Sequence, residues 1–255
     1  MHPPYSLTQR LQIALRTFRH GFGYARHLVR GNRFTGNMSW VRRNSRPVVL
    51  VHGFLGTRGT MVPLTRRFQA DGRVVFTYHH GTFQLDSMSH SANELSKQVC
   101  SLIDDLGIDR VDLVGFSMGG LVALHALKFH GGQHWIRRLA ILGTPVAGTW
   151  MSLLGIATLG LVSPSVWQVR PGSRFLNQLF ASPTPPGVPI RQIYAQDDAF
   201  CPTGAPIAGV DPERDYIVLP GGHSSLVIAQ SFYNSIRDFL DRPELPTEQS
   251  QLIHK

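Results

Sequence analysis

Past residue 46 the chain alternates short apolar runs with longer stretches of helical periodicity. The runs 47–51, 74–78, 111–114, 139–142, 190–194 and 216–219 are mostly apolar and rich in Val, Ile and Leu. A strand with one wet face alternates apolar and polar residues, whereas an unbroken apolar run suits a strand buried on both faces of a parallel sheet. Between the runs, Leu95, Val99, Leu102 and Leu106 recur at helical spacing. The box Ser91-Ala-Asn-Glu94 predicts the start of that helix, and Gly107, free of a Cβ, its left-handed end. A second helix is predicted over 121–127, stopping at Gly131-Gly132, and a last one carries Phe232, Ile236, Phe239 and Leu240 on one face. Strand and helix in alternation predict an α/β fold with a mostly parallel, doubly wound sheet.

Two stretches depart from this rhythm. Residues 148–189 read as an insertion between strands: an apolar run over 151–162, then Trp167, a short helix about 175–180 and the loop 182–187. Following a parallel strand, the insertion emerges at the carboxyl edge of the sheet, where it is expected to roof the site as a lid. The alternative is a helix pair packed permanently on the core. Residues 1–46 carry Leu7, Leu11, Ala14, Leu15, Phe18, Phe22, Ala25 and Val29 at helical spacing, interleaved with arginines. Docking on the domain, contact with an anionic membrane surface and organelle targeting all fit such a helix. The organisation expected is a basic segment 1–46, an α/β domain 47–242 that holds the insertion at about 148–189, and a loose tail 243–255.

Charge alters the picture in one place. The net charge is +9, yet residues 1–46 hold nine arginines and no acid, while the remainder balances 16 basic against 16 acidic residues. The excess is not a property of the folded domain, so nucleic acid is not an expected partner, and peripheral contact of 1–46 with lipid is. With 42% hydrophobic residues and no run long enough to span a bilayer, a soluble cytoplasmic chain is expected, peripherally attached if 1–46 meets a membrane. Cys100 and Cys201 lack metal or redox spacing and read as small buried hydrophobes. His125, His130 and His134 have no carboxylate or cysteine at ligand spacing, and no dinucleotide or Walker motif occurs, so neither metal nor cofactor is expected. His79 and His80 end a strand and read as a loop turn near the site mouth.

The chemistry concentrates in Gly115-Phe-Ser117-Met-Gly119, which matches G-x-S-x-G. A buried strand runs into it and a helix leaves it, the context in which a serine is presented on a strained elbow. A serine hydroxyl is a weak nucleophile at neutral pH and needs a histidine to take its proton and an acid to fix the imidazole tautomer. Asp198 follows the 190–194 run and His223 follows the 216–219 run on a glycine-rich loop, giving the order nucleophile, acid, histidine. The oxyanion formed on attack calls for two backbone donors, expected from Met118, next to the nucleophile, and from Phe54, in the loop after the first strand. His52 precedes the histidine slot and reads as a side chain orienting that loop.

The segments Val-His-Gly-Phe-Leu-Gly at 51–56, Gly-Phe-Ser-Met-Gly-Gly at 115–120, Gly-Thr-Pro-Val-Ala-Gly-Thr at 143–149, Pro-Gly-Ser-Arg-Phe-Leu-Asn-Gln-Leu at 171–179, Asp-Ala-Phe-Cys-Pro at 198–202 and Gly-His-Ser-Ser-Leu at 222–226 together resemble the α/β-hydrolase fold, within it the bacterial triacylglycerol lipases and esterases. The resemblance covers about 47–240. It implies a triad of Ser117, Asp198 and His223, with Asp198 rather than Asp197 marked by the family's pattern Asp-x-x-x-Pro ending at Pro202, an oxyanion hole at Phe54 and Met118, and a small-molecule acyl ester or lipid as substrate. Val146 stands where such lipases often carry histidine. Acyl transfer or thioester hydrolysis would use the same residues, differing in the acceptor or the bond cleaved. A membrane- or partner-binding scaffold on a retired hydrolase fold is the reading from another class.

Overall fold

The computed structural model describes residues 46–54, 58–78, 87–150 and 163–243. Expectations for 1–45, for the apolar run 151–162, for His79 and His80 and for the tail past 243 lie outside the described residues. Six parallel strands, β1 (Val48–Val51), β2 (Val75–Thr77), β3 (Val111–Phe116), β4 (Ile136–Leu142), β5 (Ile190–Ala195) and β6 (Tyr216–Leu219), form one sheet in the order β2-β1-β3-β4-β5-β6. Around them lie α1 (Val62–Ala70), α2 (Met88–Leu106), α3 (Met118–Phe129), the single turn α4 (Gly132–Trp135), α5 (Pro164–Gln168), α6 (Arg174–Ala181), α7 (Ser225–Ile228) and α8 (Gln230–Leu240).

Pleating divides the apolar runs between two cores. Val49, Val51, Leu113, Leu139 and Ile141 face α2 and α3, whereas Val48, Leu50, Val114, Ala140 and Leu142 face α1 and α8 through Leu64, Phe68, Phe232, Ile236 and Phe239. Both faces being covered is why these strands lack polar alternation. The strand order reverses after β2, so the connections leaving the paired strands β1 and β3 lead to opposite sides of the sheet, the switch point where loops of an open α/β sheet build a site.

Three sequence expectations are corrected here. Helix α2 begins one turn earlier than the box at Ser91 implies: Ser87 is the cap, its side chain accepting the His90 N–H, and Ser91 is buried inside the helix. Met88 extends the Ala92, Leu95 and Val99 stripe, and its burial draws the start forward. Cys100 is exposed rather than buried. Strand β4 begins at Ile136, taking in Arg137 and Arg138, because their charges are answered internally. Arg137 makes a two-pronged contact with the buried Asp112 carboxylate, which also receives Arg73, and both arginines donate to the Leu240 carbonyl.

The described part of the insertion is docked. Thr149 N–H donates to Val169 O at 2.9 Å, closing the excursion at its base, and Met88 N–H donates to the Gln168 side chain at 2.8 Å. Lys128 on α3 donates to the Leu179 and Ser182 carbonyls, capping α6, and Leu176 is core rather than roof. The His125 ring stacks on Phe175 with centroids 5.5 Å apart and lies 4.6 Å from Phe129 and 5.2 Å from His130. Burial, with His130 adding to it, lowers the His125 pKa to about 4.

This seam sets an expected acid response. An unfolded histidine titrates near pH 6.5, so as the pH falls below that value the unfolded chain takes up a proton that the native state refuses. The native state therefore loses stability progressively between about pH 6.5 and pH 4, and no further from this group below that. Urea midpoints at pH 7, 5.5 and 4.5 should fall for the native protein and fall less steeply for His125→Phe, which keeps the stack without the titration. Equal slopes would contradict the assignment.

Candidate active site

Ser117 sits at the turn from β3 into α3 with φ 56° and ψ −126°, and is the one non-glycine residue with positive φ among those described. Such a conformation costs an L-residue of order 1–3 kcal/mol and persists where its surroundings enforce it. Here small neighbours make the turn possible. A Cβ at Gly115 would come 2.6 Å from the Gly120 Cα, one at Gly119 would collide with the Val51 and His52 carbonyls, and one at Gly120 with the Thr144 hydroxyl. The strand, the elbow and the loops after β1 and β4 therefore interlock at backbone distance. Ser117 N–H donates to Leu142 O at 2.7 Å, anchoring the elbow to β4.

Asp198 and His223 arrive at the same edge from β5 and β6. His223 Nδ1 lies 2.6 Å from Asp198 Oδ2. The other oxygen, Oδ1, accepts the Phe200 N–H at 2.9 Å and the Cys201 N–H at 2.8 Å. Asp198 is 6% exposed, while Asp197 is exposed. A carboxylate held by two amides and the imidazole Nδ1–H fixes the tautomer that leaves Nε2 as acceptor. The imidazole lies 4.7 Å, centroid to centroid, from the buried Phe116 ring and 5.6 Å from the Phe200 ring. A Cβ at Gly143, φ 52°, would come 3.2 Å from Asp198 Oδ2 and 3.4 Å from His223 Cε1, so glycine there leaves room for the pair.

Ser117 Oγ lies 3.8 Å from the buried Cys201 Sγ, its one hydrogen-bonding contact among the described residues. The aspartate and histidine are thus joined, and the serine stands beside them with its hydroxyl toward the thiol. Free enzymes often hold such contacts loosely until substrate binds. Burial, with Asp198 nearby, pushes the Cys201 thiol up, so it stays protonated. Sequence reasoning missed Cys201 as a neighbour of Ser117. Its position just before Pro202 in the loop that carries Asp198 was the available signal.

The loop that carries Phe54 lies against Ser117, and Met118 follows the serine in the chain. Gly53, preceding Phe54, is close enough that a Cβ would touch Ser117 Cβ at 2.8 Å, and Met118 opens α3, where first-turn amides lack helical acceptors. His52 is 1% exposed, with Nδ1 3.0 Å from Gly53 O, a local contact that braces this loop. The loop after β4 is held from below by the Tyr194 hydroxyl donating to Thr144 O at 2.9 Å. Among the described residues no cluster of histidine, cysteine or carboxylate side chains could hold a metal ion, and no helix is long and apolar enough to cross a membrane.

Residues 48–248 match the model of a family described as the alpha/beta hydrolase family. Among solved structures, the chain is similar to a Bacillus licheniformis lipase in its mature form, with a TM-score of 0.67 and 16% identity over 81% of this chain and 97% of that one. It is also similar to Aspergillus fumigatus lipase B, TM-score 0.57 and 18% identity over 73% of this chain and 47% of that one. A third similarity is to an enol-lactonase from Burkholderia xenovorans, TM-score 0.51 and 19% identity over 81% of this chain and 94% of that one.

Proposed function

The chain belongs to the alpha/beta hydrolase family, and from that premise we propose that it is a serine carboxylic-ester hydrolase working through an acyl-enzyme. The observation that carries the reading is the 2.6 Å bond between His223 Nδ1 and Asp198 Oδ2 at the edge where Ser117 occupies a strained turn. With Nδ1–H committed to the carboxylate, Nε2 is the basic nitrogen. Ser117 Oγ turns from Cys201 to Nε2, loses its proton there and attacks the ester carbonyl. The Phe54 and Met118 amides receive the oxyanion, and the positive end of α3 lies behind it. His223 then returns the proton to the departing alcohol, and water repeats the sequence to free the acid.

Its partners on this reading are acyl esters or lipids of small-molecule size. Two of the similar folds are lipases, which makes an ester the bond to try first. The basic segment 1–46 is assigned to peripheral contact with anionic lipid on its charge and apolar spacing. A p-nitrophenyl ester series from acetate to long-chain acyl groups, with Ser117→Ala as the blank, tests the activity. Release above the blank is expected, and release equal to it throughout would overturn the proposal. Adding a primary alcohol to the same assay separates hydrolysis from transfer by whether free acid or a new ester accumulates.

A further inference from the structure

Phe200 is 54% exposed, and yet its backbone is fixed at both ends. Its N–H donates to Asp198 Oδ1 at 2.9 Å, its carbonyl accepts the Thr149 hydroxyl at 2.5 Å, and the next residue, Cys201, is buried with its own N–H on the same carboxylate oxygen. Packing among the described residues does not account for an aromatic ring this exposed on a backbone held this firmly. The ring lies 5.6 Å from the His223 imidazole at 43°, on a different element from Phe116, which supports that imidazole from the core.

The position has a chemical meaning that rests on the proposed ester hydrolysis. The group that takes a proton from His223 is the departing alcohol, so the surface beside the imidazole is where the alcohol portion of the ester passes. A phenyl ring there has no hydrogen bond to offer a polar head group. It offers an apolar face and edge to another ring or to branched hydrocarbon. We infer that Phe200 is a specificity-determining residue that selects esters whose alcohol portion is bulky and apolar, aromatic above all, over esters of methanol or glycerol. Two backbone bonds give the ring its place before substrate arrives, so little ordering is needed when the alcohol portion stacks on it.

The test keeps the acyl group constant. Acetates of methanol, glycerol, benzyl alcohol and naphthylmethanol are assayed with the native enzyme, Phe200→Ala and Phe200→Tyr, each against a Ser117→Ala blank, and methyl butyrate and methyl octanoate probe the acyl side. In Phe200→Ala the ratio of kcat/KM for benzyl over methyl acetate is expected to fall about five- to tenfold, the worth of one aromatic contact, and mainly through KM. Phe200→Tyr, which keeps the ring, should restore most of it. A uniform fall across the four acetates would mean that the residue acts only through Asp198, and would overturn the inference. So would an unchanged ratio, or a fall that follows acyl length. Native turnover no greater than the blank would instead remove the ester-hydrolase reading, and this inference with it.

Discussion

Replacing Ser117 with alanine is expected to lower ester turnover by about four to six orders of magnitude while leaving the fold intact. The substitution removes one oxygen. The elbow is held by the Ser117 N–H bond to Leu142 O and by the close approach of Gly115, Gly119 and Gly120 to their neighbours, and none of these involves that oxygen. The contact given up is the 3.8 Å approach of Oγ to Cys201 Sγ, too long to contribute much stability. Residual catalysis from the two oxyanion amides and substrate binding would remain in Ser117→Ala, well below the native rate. A melting curve close to native, paired with kcat/KM measured under substrate-limiting conditions, checks both halves. Activity within about tenfold of native would refute the role of Ser117.

The second large effect separates two adjacent carboxylates. Asp198→Asn should cut the rate about 10³- to 10⁴-fold, and Asp197→Asn should leave it within about twofold. An asparagine at 198 still presents an oxygen to the Phe200 and Cys201 amides. Its amide NH₂ then meets His223 Nδ1, which must shed its hydrogen to accept, and the proton moves to Nε2, where Ser117 needs a base. Asp197 is exposed, and its backbone N–H donates to Gly221 O. The reverse ranking would move the acid by one residue.

Much of the architecture was readable because a parallel sheet writes itself plainly: all six apolar runs are strands, and the left-handed Gly107 closes α2 as its lack of a Cβ suggested. The failures have a common cause in long-range pairing. Arg137 and Arg138 look like a break before β4, yet they lie in the strand at 9% and 5% exposure because Asp112 and the Leu240 carbonyl meet them. Nothing local to residue 137 announces a carboxylate 25 positions earlier. The seam of His125, Phe175 and Lys128 is of the same kind, joining α3 to the insertion through contacts that periodicity cannot supply. At the site, the family resemblance pointed to Asp198 through Pro202, and the structure joins the Asp198 carboxylate to His223. The approach of Cys201 to Ser117 spans 84 residues, and the place of Cys201 before Pro202 in the loop that carries Asp198 was its one local sign.

The central claim, that Ser117 is a nucleophile activated by His223, is tested most directly by covalent labelling with a fluorophosphonate followed by mass mapping of the adduct. The phosphonyl group should appear once, on the peptide containing Ser117, at a rate that falls steeply in His223→Ala, and it should be absent from Ser117→Ala. An adduct on another residue, or a folded native protein that takes up no label, would contradict it.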